Sequence, residues 1–142
     1  MKYIPILTLI LLVLCACQSD DEMSRDLKDL APCGDDVVIN KAQFDNALSA
    51  TILAVSLEDD CLTINYGASG CDASSIVATL IDAGDIAESL PPQRFMKLGI
   101  ETGACLAYFE KEITINIRDL QVETSSVILH LDGHDTEILY TY

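Results

Sequence analysis

Ile113, Ile115 and Ile117 alternate with Thr114, Asn116 and Arg118, and this spacing of two recurs along most of the chain. Successive side chains leave a strand on opposite sides, so alternation of this kind predicts strands with one face buried. The same pattern sets Leu62, Ile64 and Tyr66 opposite Cys61, Thr63 and Asn65, and Met96, Leu98 and Ile100 opposite Phe95, Lys97 and Gly99. Val127, Leu129 and Leu131 alternate with Ile128 and His130, and Ile138, Tyr140 and Tyr142 share a face. Further strands are expected over residues 37–40, 50–58, 75–82 and 86–90. A loop is expected at 67–73, a turn at Ala83-Gly84-Asp85 and a break at Pro91-Pro92. Asp132-Gly133 is a hairpin turn signal. Residues 103–111 have no clear period and are expected to form one short helix or a connecting arm. About eight short strands in this order predict an all-β fold. The expectation is an antiparallel β-sandwich, immunoglobulin-like, with a small closed barrel as the alternative.

The length, 142 residues, suits one domain, and half of the residues are apolar. The formal net charge is -15, from 8 Lys+Arg against 23 Asp+Glu. A surface that acidic repels phosphates, so DNA and RNA are not expected as partners.

Six cysteines are many for this length, and their chemistry depends on compartment. Lys2 gives a short positive start. Residues 4–14 are almost all apolar, a length that suits a signal peptide and falls short of the roughly 20 residues of a spanning helix. The run ends in Leu14-Cys15-Ala16-Cys17. This resembles the lipobox of bacterial prolipoproteins, with Leu14 three residues before Cys17 and the small Ala16 just before it. The resemblance implies cleavage before Cys17 and acylation of its thiol, which would anchor the chain in a lipid bilayer. Two or three acyl chains, at about 0.8 kcal/mol per buried methylene, hold far better than one. Ser19-Asp20-Asp21 then looks like the export signal of surface lipoproteins of the Bacteroidota, which implies an outer-membrane location facing outward.

These features divide the chain into a signal peptide (1–16), a lipidated Cys17 with an acidic tether (17–32), which includes a helical turn expected at 24–30, and a β-sandwich domain (33–142). Cys33, Cys61, Cys71 and Cys105 remain for the domain. An even number in an exported domain favours two disulfides, and four cysteines allow three connectivities. The favoured one joins Cys33 to Cys61 and Cys71 to Cys105. No Cys-x-x-Cys spacing supports zinc, and no metal site or cofactor is expected.

Other chemistry is sparsely marked. His130 and His134 are the two histidines, expected across a hairpin tip. Asp82 with Asp85, and Asp132 with Asp135, are carboxylate pairs in turn-like sequence, too few in oxygens for a calcium loop. Ser74-Ser75 and Ser125-Ser126 lack the glycines of a nucleophile elbow. The most distinctive surface candidate is Pro91-Pro92-Gln93-Arg94, where two prolines are expected to stiffen a loop and hold Arg94 outward for a partner. The expected function is a non-enzymatic binding or accessory module, with an outer-membrane or extracellular protein as partner. The alternatives are a protease inhibitor using residues 89–94 and a hydrolase with an unmarked site.

Overall fold

A computed structural model describes residues 33–142. The expected signal peptide, Cys17 and the expected tether with its helical turn lie outside the described residues. The elements run β1 (Asp35–Asp36), β2 (Val38–Ile39), α1 (Lys41–Asn46), β3 (Leu48–Ser49), β4 (Thr51–Glu58), β5 (Cys61–Gly70), β6 (Val77–Ala87), β7 (Gln93–Glu101), β8 (Ala107–Asn116), β9 (Ser126–Leu131) and β10 (Ile138–Thr141). Single 3-10 turns follow β5 and β8.

Two sheets form a β-sandwich. One has the order β1-β8-β5-β4, the other β10-β9-β7-β6-β2, with β3 beside β7. The alternation read from the sequence fixes which faces meet. Leu62, Ile64 and Tyr66 of β5 and Ile115 of β8 pack against Leu80 of β6, Met96 and Leu98 of β7, and Val127, Leu129 and Leu131 of β9. Burying a side chain of this size contributes about 1.5–3 kcal/mol.

Four expectations are corrected. The sheets are not purely antiparallel: β1–β8, β2–β6 and β7–β9 pair in parallel. The chain leaves β7 for β8 in the other sheet and returns to β9, so β9 comes back pointing the same way as β7. The short helix lies at Lys41–Asn46, where Asn40 caps it by accepting from the Gln43 backbone N–H at 3.0 Å. Residues 107–111, expected as part of a short helix or a connecting arm, are strand, because β8 pairs with β5 along its whole length from Ala107↔Gly70 to Asn116↔Cys61. That pairing also carries β5 through Gly70, shortening the expected 67–73 loop. Finally, Ala83-Gly84-Asp85 is not a turn between two strands. It is a bulge within β6, between the pairs Asp82↔Met96 and Ile86↔Arg94. Gly84, at φ 79, takes the bend, and its N–H donates to the Asp82 carboxylate at 2.7 Å.

Candidate functional site

The outer face of the six-stranded sheet carries the most developed surface feature. Parity along β7 turns Phe95 and Lys97 outward as Met96 and Leu98 turn in. Parallel pairing of β7 with β9 sets Phe95 directly beside His130. Their rings stack with centroids 5.0 Å apart and planes 13° apart. His130 Nε2 shares a hydrogen bond of 2.7 Å with Gln93 Oε1, which fixes the imidazole. The Lys97 ammonium donates to the Phe44 carbonyl of α1 at 2.8 Å and stands 4.8 Å from the centre of the Phe44 ring. After β9 the chain turns at Asp132, whose Oδ2 accepts from Ser49 Oγ at 2.7 Å.

Phe44, Phe95, Lys97, His130 and Asp132 thus surround an open cavity of about 390 Å³. Phe95 keeps 41% of its surface exposed there. An aromatic wall with one ammonium and one carboxylate at its rim suits a ligand with an apolar face and a polar edge. Parity in the sequence places Phe95 and His130 on outward faces. The missed information was the parallel pairing that brings them together and the helix that adds Phe44.

The Pro91–Arg94 expectation is corrected. Arg94 does not project: it is 5% exposed, on the inner face of β7, and paired with the fully buried Asp82. Leu90, 93% exposed, forms the tip instead. The segment is held by Ser89 Oγ donating to the Pro91 carbonyl at 2.5 Å and Gln93 Nε2 donating to Ser89 Oγ at 3.0 Å. An inhibitor offering Arg94 to a protease pocket is incompatible with this burial.

The other candidates are dispersed. His130 stands on the sheet face, whereas His134 lies in the longer loop before β10, its N–H bonded to the Leu131 carbonyl at 2.9 Å. Asp82 is committed to Arg94 and Gly84, and Asp85 is exposed. Ser74 and Ser75 both bond Asp72, which caps the 3-10 turn, and Asp72 is held below its usual carboxylate range chiefly by the Ser74 hydroxyl. No group of three or more His, Cys, Asp or Glu side chains suited to a metal converges among the described residues. The disulfides join Cys33 to Cys61 and Cys71 to Cys105, the favoured pairing.

A polar cluster that the sequence did not signal closes one end of the sandwich. The Tyr140 hydroxyl donates to Asp60 Oδ1 at 2.5 Å, Gln121 Nε2 donates to the Tyr140 oxygen at 2.8 Å, and Arg118 Nε donates to Asp60 Oδ2 at 3.0 Å. Burial, and then the Asp60 carboxylate, push the Tyr140 phenol up to about 12. The Tyr140 hydrogen bond is also the main reason Asp60 is held below its usual range. The cluster ties the β4–β5 turn to β10.

No protein-family model matches the chain, and no curated protein matches it. The fold is shared. A crystal structure of a protein of unknown function, DUF1344, from Bacteroides vulgatus superposes with a TM-score of 0.52 at 13% identity over 75% of this chain. The chain spans 56% of that protein's length. At this identity the likeness extends to the sandwich architecture alone.

Proposed function

We propose that the protein is a lipid-anchored, non-enzymatic binding or accessory module, displayed outward from the outer membrane through acylated Cys17. Leu14, Ala16 and Cys17 support the anchor, and Ser19-Asp20-Asp21 supports the direction. The Bacteroides origin of a protein with the same fold is in keeping with both. The observation that carries the binding role is the exposed Phe95–His130 stack, set in a concave surface between Lys97 and Asp132. Fully burying a phenylalanine side chain contributes about 1.5–3 kcal/mol, and a ligand covering the exposed part of Phe95 recovers a share of that.

The anchor is tested by labelling cells with radioactive palmitate. The wild-type chain takes up label and Cys17→Ala does not. Display is tested by adding protease to intact cells, which should degrade the domain. Survival of the domain until the outer membrane is broken would place it inside. The groove is tested by titrating glycans and peptides against the protein while following the His130 imidazole resonances. Ligands that shift them should lose affinity with Phe95→Ala.

A further inference from the structure

Strand β4 ends the four-stranded sheet and β10 ends the six-stranded one. Both edges lie on one side of the sandwich. A Cβ on Gly133, in the loop before β10, would stand 3.6 Å from Ile52 near the start of β4, and Tyr140 of β10 reaches Asp60 just past its end. On the opposite side the chain steps from β1 in one sheet to β2 in the other, so β1 covers Ile115 and Asn116 of β8 and β2 covers Ile81 and Asp82 of β6, and the rest of the β8 edge carries Lys111. Among the described residues β4 pairs only with β5.

An edge strand leaves alternate backbone N–H and C=O groups facing solvent, and proteins usually protect them with Lys, Pro or a short strand. β10 is short, at 4 residues. β4 has 8 residues, Thr-Ile-Leu-Ala-Val-Ser-Leu-Glu, with neither Lys nor Pro. Its bulge at Leu53 interrupts only the first part, and from Ala54 to Glu58 its register with β5 is unbroken. Outward-facing Ala54 and Ser56 are small and leave the edge sterically open. Inward-facing Val55 and Leu57 are only partly buried against the core. A further strand would complete their burial.

Charge sets the character of that strand. Glu58 and Asp59 are exposed at one end of the edge. Asp135 and Glu137 are exposed in the loop at the other. Arg118 at the Glu58 end is already paired with Asp60. A second copy of this chain, at net charge -15, would bring the same negative ends and be repelled.

We infer that the β4 edge accepts, by strand addition, an extended segment of a partner protein whose apolar residues alternate with small or polar ones and whose ends carry Lys or Arg. Backbone hydrogen bonds supply affinity, the Val55–Leu57 seam selects apolar side chains, and the carboxylates select positive ends. This surface is separate from the Phe95–His130 groove, so Phe95→Ala leaves it unaffected.

The test uses the full chain in detergent with synthetic peptides of β4's length. One alternates valine and threonine between terminal lysines. A second carries glutamates in place of the lysines, and a third is the lysine peptide N-methylated at every backbone nitrogen, so that neither of its edges can pair. The lysine peptide should slow hydrogen exchange across Ala54–Glu58 and bind more weakly as salt is raised. The other two peptides should do neither. Glu58→Lys with Glu137→Lys, both at exposed positions, should weaken the lysine peptide by about tenfold. The inference is overturned if these amides gain no protection, if the N-methylated or glutamate peptide binds as well, or if protection instead follows self-association of the chain.

Discussion

The Arg94 guanidinium forks onto the Asp82 carboxylate, Nη2 to Oδ1 at 2.7 Å and Nε to Oδ2 at 3.1 Å, inside the sandwich. Gly84 adds a third hydrogen bond to the same carboxylate, so the bulge in β6 and the ion pair are one construction. Bidentate geometry with further donors is what makes a buried pair tolerable.

Breaking this pair is expected to be costly. Arg94→Ala leaves a buried, uncompensated carboxylate and should destabilise the domain by about 3–5 kcal/mol. Replacing both partners together, Asp82→Leu with Arg94→Met, should recover most of that loss, because no charge is then stranded. Urea unfolding of the three proteins checks the order. If Arg94→Ala were as stable as wild type, the pair would not have the role given to it.

Arg94 also shows how far the sequence could be read. Arg94 has the parity of Met96 and Leu98, which the outward expectation left unused because the preceding prolines resemble a loop and a charged residue is rarely buried without a partner. The partner, Asp82, lay in a segment that resembled a turn because Gly84 interrupts the alternation. The even number of cysteines pointed to two disulfides, and strand faces were legible because period is a local signal. The parallel β7–β9 pairing was not, since nothing in either strand encodes its neighbour. The groove therefore stayed hidden although the alternation sets Phe95 opposite Met96 and Leu98, and His130 opposite Leu129 and Leu131. The short helix left a local signal, Asn40 three residues before Gln43, which is a capping pattern.

The Tyr140–Asp60 contact gives stability a defined pH dependence. Tyr140 has its pKa raised from 10.0 to about 12, so its contribution is intact below pH 10 and is lost as pH rises from there through about 12. Tyr66, raised by burial, adds to the same alkaline loss. Asp60 is lowered from 3.8, so its contribution is present above that value and is lost as pH falls below it. Tyr140→Phe should cost about 1.5–3 kcal/mol at neutral pH by removing a donor to a charged acceptor. It should also flatten the alkaline limb. Chemical unfolding across pH, with ultraviolet titration of the phenols, measures both. An unchanged alkaline limb would exclude Tyr140 as its source.

The two disulfides should differ in reactivity. Cys71 and Cys105 are both exposed, whereas Cys33 is 2% exposed and Cys61 half-buried. A thiolate must reach sulfur to exchange, so mild dithiothreitol should open Cys71–Cys105 first. Alkylation followed by peptide mapping reports the order. Replacing Cys33 and Cys61 together by serine should cost about 2–4 kcal/mol, the usual worth of a bridge.

Gly67 and Tyr108 form a coupled pair on the outer face of the four-stranded sheet. Gly67 faces outward on β5, and the Tyr108 phenol of β8 lies across it, so a Cβ at Gly67 would overlap the phenol oxygen and the ring carbon that bears it. Glycine weakens a strand interior, and an aromatic side chain on the neighbouring strand covers the exposed backbone. Tyr108 remains 53% exposed, so its ring can swing away, and Gly67→Ala should unfold nothing. It should instead release Tyr108. With Tyr108 present, the strand propensity gained by adding the methyl is offset by the lost ring contact. With Tyr108→Ser, the same Gly67→Ala change should be stabilising, by up to about 1 kcal/mol. A double-mutant cycle by urea unfolding therefore predicts a coupling energy of about 0.5 kcal/mol or more, the size found for residues in contact. Strict additivity of the two changes would mean that the ring does not rest on Gly67 in solution.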